Sequence, residues 1–196
     1  LIYPWLNEDK NITNPNWYIV RFYLLVHSFK IKEALEYGLF LIQNLKQRYE
    51  MKKALEIVNL LLDDKYHSND NTIKFDLFNL GAECLWETVD TNLALNYYKN
   101  AHDIIPCIID SESRIQVCKF YHRYINVLFH LGMNKEAYQL LKEYESVKSK
   151  SDYEEFILNN RFSVYYYRKG DFEKAEKRIQ KSIEYAKKLK SSFWES

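Results

Sequence analysis

The stretch Leu131-Gly132-Met133-Asn134-Lys135-Glu136-Ala137-Tyr138-Gln139-Leu140-Leu141 decides the fold, and it returns as Lys169-Gly170-Asp171-Phe172-Glu173-Lys174-Ala175-Glu176-Lys177-Arg178-Ile179. Each copy sets a glycine just past a helix end, where the left-handed conformation costs any other residue most. Asn134 and Asp171 then stand where they can cap the following helix. An alanine sits one turn inside that helix, with a large apolar residue four positions on: Ala137 with Leu141, and Ala175 with Ile179. Close approach of two helix backbones needs the small side chain, and the larger one fills the space beside it. Upstream, Gly81 is followed by Ala94, Tyr98, Ala101 and Pro106. Alanines 94, 137 and 175 are 43 and 38 residues apart. Periods of roughly 20–50 residues mark a solenoid, in which each unit buries its apolar face on the next.

Composition agrees. Of the 196 residues, 47% are apolar, enough for a continuous core, while 4 Gly and 3 Pro are too few for the many turns of an all-β chain. The net charge of +1 supplies no global field for nucleic acid or an anionic membrane. Cys84, Cys107 and Cys118 are odd in number and not closely paired, which reads as reduced thiols in a cytoplasmic protein. No apolar run approaches the roughly 20 residues of a membrane span, so no membrane is expected. Residue 1 is Leu, and the chain reads as a fragment of a longer protein.

Apolar spacing predicts helices over about 16–29, 31–47, 50–63, 72–87, 91–104, 111–131, 134–147, 152–168 and 171–189. Polar residues 64–71 form the expected internal boundary, Pro106 ends one unit, and Asp110 or Ser111, then Ser151 or Asp152, are the expected caps. The expected organisation is an irregular lead-in over 1–15 and divergent N-terminal helices over 16–64. Three repeats follow over 72–190 (72–106, 111–148 and 152–190), and a further helix starts over 191–196.

The repeats resemble the tetratricopeptide repeat, a helix-turn-helix unit of about 34 residues. The first carries Leu77, Leu80, Gly81, Ala94, Tyr98, Ala101 and Pro106. The second carries Tyr121, Tyr124, Gly132, Ala137, Leu141 and Tyr144, with Ile125 where the pattern has a small residue. The third carries Phe162, Ser163, Tyr166, Gly170, Ala175, Ile179 and Ser182. Residues 17–63 fit less well, since Ala34 and Ala54 are only 20 apart. The runs Leu24–Phe29, Glu33–Tyr37 and Lys53–Glu56 are similar to the repeat regions of bacterial signal-transduction ATPases and of peptide-pheromone receptors. The resemblance implies an all-α fold, antiparallel helix pairs in a right-handed superhelix with a concave groove. It also implies a protein- or peptide-binding module, the sensor region of a larger bacterial regulatory protein.

Catalytic motifs are missing. There is no Gly-rich phosphate loop, no HExxH and no nucleophile elbow, so neither an enzyme nor a cofactor is expected. Cys118 and His122 share a helix face, with Cys107 and His130 nearby in sequence, but their spacing matches no usual zinc pattern. Glu154-Glu155 and Asp63-Asp64 are adjacent pairs that do not face each other on a helix. Tyr121, Tyr124 and Tyr166 read as repeat core rather than base-stacking platforms.

In the tetratricopeptide family the first helix of each unit lines the groove. Carried onto this chain, that pattern places Asn79, Ala82 and Trp86 there, then Lys119, Arg123, Asn126 and His130, then Asn160, Arg161, Tyr167 and Arg168. Asparagine amides bond a peptide backbone through donor and acceptor, and arginine grips a carboxylate with two parallel bonds. The set Lys119, Arg123, Asn126, Asn160 and Arg161 resembles the family's clamp for a peptide C-terminus. The expected partner is therefore a protein or peptide bearing an acidic group or a free C-terminus. Lys174–Lys190 is rich in lysine but interspersed with Glu173, Glu176 and Glu184, a solvated helix rather than a nucleic-acid surface. The alternatives are a scaffold that forms a homodimer through an apolar end, or the regulatory region of an ATPase-type enzyme whose catalytic part lies elsewhere.

Overall fold

A computed structural model describes residues 16–63, 70–88, 90–107, 113–146 and 150–194. Among them there are helices and turns and no strand. The helices are α1 (Asn16–His27), α2 (Ile31–Gln47), α3 (Met51–Leu62), α4 (Asn71–Glu87), α5 (Thr91–Ile104), α6 (Ser113–His130), α7 (Asn134–Ser146), α8 (Asp152–Arg168) and α9 (Phe172–Trp194). Pro106 lies in a short 3-10 turn, Ile105–Cys107, after α5. The lead-in over 1–15 and the cap at Asp110 or Ser111 lie outside the described residues. So does most of the polar 64–71 segment. No described helix is long and apolar enough to cross a membrane.

The chain forms two compact units, Leu1–Ile108 and Ile109–Ser196, so the division falls at 108/109 and not in the 64–71 segment. In the first unit each of α1 to α4 packs on its successor, and α2 also touches α4. In the second, α6, α7, α8 and α9 pack in turn, and α6 also touches α8. This layering of each helix on the next, and on the next but one, is solenoid packing. Residues 191–194 continue α9 without a break, so no further helix starts at 191.

The alanines mark one repeated local event. Ala34, Ala54, Ala94, Ala137 and Ala175 each hold the fourth position of their helix, and all are buried. Each backbone N–H closes the first helical hydrogen bond, onto Lys30, Glu50, Asp90, Met133 and Asp171 respectively. The glycines are not equivalent. Gly132 and Gly170 sit in turns with φ of 72° and 77°. Gly81 lies inside α4, where an added Cβ would come within 2.6 Å of the Tyr97 ring. There glycine admits a neighbouring ring rather than a left-handed turn.

Caps follow the side chains. Ser151 makes a full capping box with Glu154 at the start of α8. Asp70 caps α4 and Asp90 caps α5. Asp171 accepts from Lys174 N at 3.2 Å, as its position predicts. Asn134 does not cap α7. It is that helix's first residue, and its side-chain oxygen is buried without a hydrogen-bond partner.

The two cores differ in chemistry. The first is mainly aliphatic, built on Leu35, Leu41, Ile42, Leu45, Ile57, Val58, Leu61 and Leu77. The second is aromatic: Tyr121 stacks on Tyr144 with centroids 4.8 Å apart, and Tyr138 stacks on Tyr165 at 4.5 Å. Two of its phenols are hydrogen-bonded to side chains. Tyr121 donates to Glu143 at 2.6 Å and Tyr144 to Cys118 Sγ at 2.9 Å. Burial, reinforced by these bonds, pushes both phenols above the usual tyrosine range.

Candidate functional site

In the second unit, α6 and α8 bring a basic face together, and its centre is a residue outside the expected groove set. Arg161 Nε lies 3.4 Å from His122 Nδ1, and its Nη2 lies 3.0 Å from His122 Nε2. Asn126 Nδ2 lies 3.5 Å from the same Nε2, one turn along α6. Burial, then the positive charges of Arg161 and Arg123, hold the His122 pKa down at about 4. The imidazole is therefore neutral at physiological pH and accepts a hydrogen bond from the guanidinium. Burial also lowers the pKa of Arg161, yet a guanidinium stays charged in proteins. The result is a positioned, half-buried cation whose charge a neutral ring supports and does not cancel.

Two further arginines of this unit, Arg178 and Arg168, serve the packing. Arg178 donates to Asn159 Oδ1 at 3.1 Å and Glu145 Oε1 at 2.7 Å, and lies 4.2 Å from the centre of the Phe162 ring. Arg168 donates to the Phe129 carbonyl and lies over the Phe129 ring at 5.1 Å. Both are built into helix contacts, whereas Arg161 meets an imidazole.

The remaining expected residues separate into groups. Lys119, Arg123 and His130 lie on α6 with Asn126; Lys119 and His130 are exposed and Arg123 is half-buried. Asn160 precedes Arg161 on α8, and its carbonyl accepts from Ser163 Oγ at 2.7 Å. Tyr167 and Arg168 line a different feature, a cavity of about 420 Å³ between α8 and α9.

Asn79, Ala82 and Trp86 belong to α4 in the first unit, where Asn79 and Ala82 are buried rather than displayed. The Asn79 side-chain oxygen is buried with no hydrogen-bond partner. Asp76 and Glu83 flank Asn79 at helical spacing, and Lys46 of α2 pairs with Glu83. Burial, with Asp70 and Glu83 adding repulsion, lifts the Asp76 pKa to about 6. This stripe is rich in acceptors, so its chemistry is opposite to that of the α6–α8 face.

Sequence reading left His122 out of the candidate set because it paired His122 with Cys118. Yet residues 119, 122, 123, 126 and 130 form a continuous stripe at helical spacing, which was the available signal. Cys118 turns instead to Tyr144. Among the described residues, no group of three or more His, Cys, Asp or Glu side chains gathers where it could hold a metal ion.

No family model matches the chain, and no curated protein matches it in sequence. Solved structures do match its fold, TPR proteins among them. The structure of MamA is 15% identical with a TM-score of 0.62, covering 80% of this chain and 81% of that one. A Podosopora anserina putative kinesin light chain with nearly identical TPR-like repeats is 11% identical, with a TM-score of 0.64 over 91% and 99%. YrrB, a TPR protein with an unusual peptide-binding site, is 18% identical, with a TM-score of 0.56 over 90% and 89%. The fold is an all-α solenoid of the TPR-like kind.

Proposed function

We propose that this chain is a protein- or peptide-binding module that holds an acidic group of its partner on the α6–α8 face. The observation that carries this reading is the Arg161–His122 contact, with a nitrogen separation of 3.0 Å. A guanidinium has five N–H donors, and a single imidazole occupies only part of that capacity. A carboxylate arriving at Arg161 gains charge-assisted hydrogen bonds from a cation already oriented and partly desolvated, worth about 1.5–3 kcal/mol. Lys119 and Arg123 add positive potential, and the amides of Asn126 and Asn160 can bond a peptide backbone. A side-chain carboxylate and a free C-terminus both suit this chemistry. Of the similar folds, YrrB is named for a peptide-binding site, which supports the reading by analogy.

The fold supports an interaction role rather than catalysis. We place the chain in the cytoplasm, as the sensing or docking part of a larger regulatory protein, with nucleic acid not among its partners. The test is capture of partners from source-cell lysate on the wild type and on Arg123→Glu/Arg161→Glu, with circular dichroism as a control on folding. A partner held by the wild type and lost by the folded variant supports the reading. Equal capture by both rejects the α6–α8 face as the site.

A further inference from the structure

We propose that the acidic group received on the α6–α8 face is a phosphate dianion, carried by a phosphorylated serine or threonine of a partner segment. The inference rests on the reading of that face as an acid-binding site and names the charge and class of its ligand. The first observation is the open edge of Arg161. His122 occupies the guanidinium edge made by Nε and Nη2, at 3.4 Å and 3.0 Å. Among the described residues Arg161 meets no other hydrogen-bond acceptor. Nη1 and the second N–H of Nη2 therefore form a fork of two parallel donors, which fits two oxygens of one oxyanion.

The second observation is the charge around that fork. Helix α6 carries Lys119 and Arg123 and contains no Asp or Glu. Helix α8 carries Arg161 and has no Asp or Glu from Phe156 to Arg168. Carboxylates of the adjoining turns are committed elsewhere. Glu143 accepts from Tyr121, Glu145 pairs with Arg178, and Glu154 closes the capping box of α8. The two charges that bear on His122, those of Arg161 and Arg123, are both positive.

The charge of the ligand follows from this excess. A carboxylate brings one negative charge to three cations. A phosphate monoester brings about −1.5 to −2 at neutral pH, with three strong acceptor oxygens. Two of them suit the Arg161 fork, and the third is left for Arg123 or Lys119, which stand one turn apart on α6. The half-buried amides of Asn126 and Asn160 flank the fork and can bond the backbone of the segment that carries the phosphate. The net charge of the whole chain is only +1, so the positive potential is local and suits one phosphate group rather than a polyanion.

Fluorescence anisotropy with three labelled peptide pools tests the inference. The pools share one degenerate sequence and differ only in a fixed central residue: serine, aspartate or phosphoserine. The phosphoserine pool is expected to bind at least about tenfold more tightly than the aspartate pool, and the aspartate pool more tightly than the serine pool. Lys119→Gln, at an exposed position, is expected to narrow the advantage of phosphoserine over aspartate, while Arg161→Gln weakens both acidic pools, with circular dichroism checking the fold of each. A phosphoserine pool that binds no better than the aspartate pool, with both above serine, overturns the inference and leaves the acid-binding reading standing. Three equal pools overturn both. Inorganic phosphate that binds as tightly as the phosphoserine pool would rule out a peptide as the source of the phosphate.

Discussion

The two units make the same turn with different residues. In the second unit the chain leaves α6 and α8 through Gly132 and Gly170. In the first it leaves α1 and α2 through Phe29 and Tyr49, with φ of 56° and 61°. The hydrogen bonds coincide. Gly132 N bonds Phe129 O and Met133 N bonds Leu128 O; Tyr49 N bonds Lys46 O and Glu50 N bonds Leu45 O. Both are the paired bonds of a Schellman turn. Two aromatic residues therefore accept a strained conformation that glycine takes without penalty. Backbone geometry is common to the units, while the residue that signals it is present in only one.

The comparison also extends to charge. The first unit sets Asp76, Asn79 and Glu83 along α4, and the second sets Arg161 against a neutral His122. One stripe accepts hydrogen bonds and the other donates them.

The largest expected effect probes the aromatic core. Phe162, fully buried and in contact with Tyr138 and Arg178, is central to the second unit. Phe162→Ala is expected to cost about 3–5 kcal/mol in urea unfolding. A cost below about 1 kcal/mol would show that the aromatic stack does not hold that unit.

Next come the two glycine roles. Gly81→Ala is expected to cost about 1–3 kcal/mol, because the new methyl meets the Tyr97 ring at 2.6 Å. Tyr97→Leu in the same background should recover part of that loss.

Titration separates the units by sign. Folded Asp76 keeps its proton up to about pH 6, whereas the unfolded carboxyl loses it near 3.8. Its contribution is thus favourable below that range and is lost as pH rises through 6. Asp76→Asn is expected to raise stability at pH 7 by about 1–2 kcal/mol, allowing for partial exposure. Folded His122 stays neutral down to about pH 4, whereas the unfolded ring protonates near 6.5. Its contribution is present above 6.5 and is lost as pH falls towards 4. His122→Gln should flatten that acid limb and leave the Asp76 limb in place. Urea midpoints from pH 4 to 7 decide both, and limbs of the same sign would contradict the assignment.

The smallest effects test the turns. Gly170→Ala meets no atom within 4 Å, so its expected cost of about 1 kcal/mol is purely conformational. Tyr49→Gly, at a side chain 86% exposed, is expected to stabilise by up to about 1 kcal/mol. If Tyr49→Gly destabilises instead, that ring makes a contact the turn depends on.

These details explain what the sequence revealed. Gly132, Gly170 and the alanines made the second unit legible, and helices α2, α5 and α8 fall on their expected residues. The first unit was obscure because Phe29 and Tyr49 stand where glycine would announce a turn. Ala34 and Ala54, though only 20 apart, are the same helix-start alanines as the rest. For the candidate site, the family resemblance pointed to the basic residues of α6 and α8 but not to their partners. Whether an arginine meets an imidazole, a ring or a carboxylate depends on contacts between residues nineteen to thirty-nine apart in the chain. No local pattern encodes those. Asn79 shows the converse, a polar residue placed in the groove by pattern and found buried by packing.

The central claim is that Arg161, oriented by neutral His122, receives an acidic group. Fluorescence anisotropy with two labelled peptide pools, one bearing Asp and Glu and one bearing Lys and Arg, tests it on the wild type and on Arg161→Gln. The account predicts that wild type prefers the acidic pool, that added salt weakens the binding, and that Arg161→Gln loses at least tenfold in affinity with the fold intact. Equal binding of both pools, or an Arg161→Gln variant that binds the acidic pool as tightly as wild type, would contradict it.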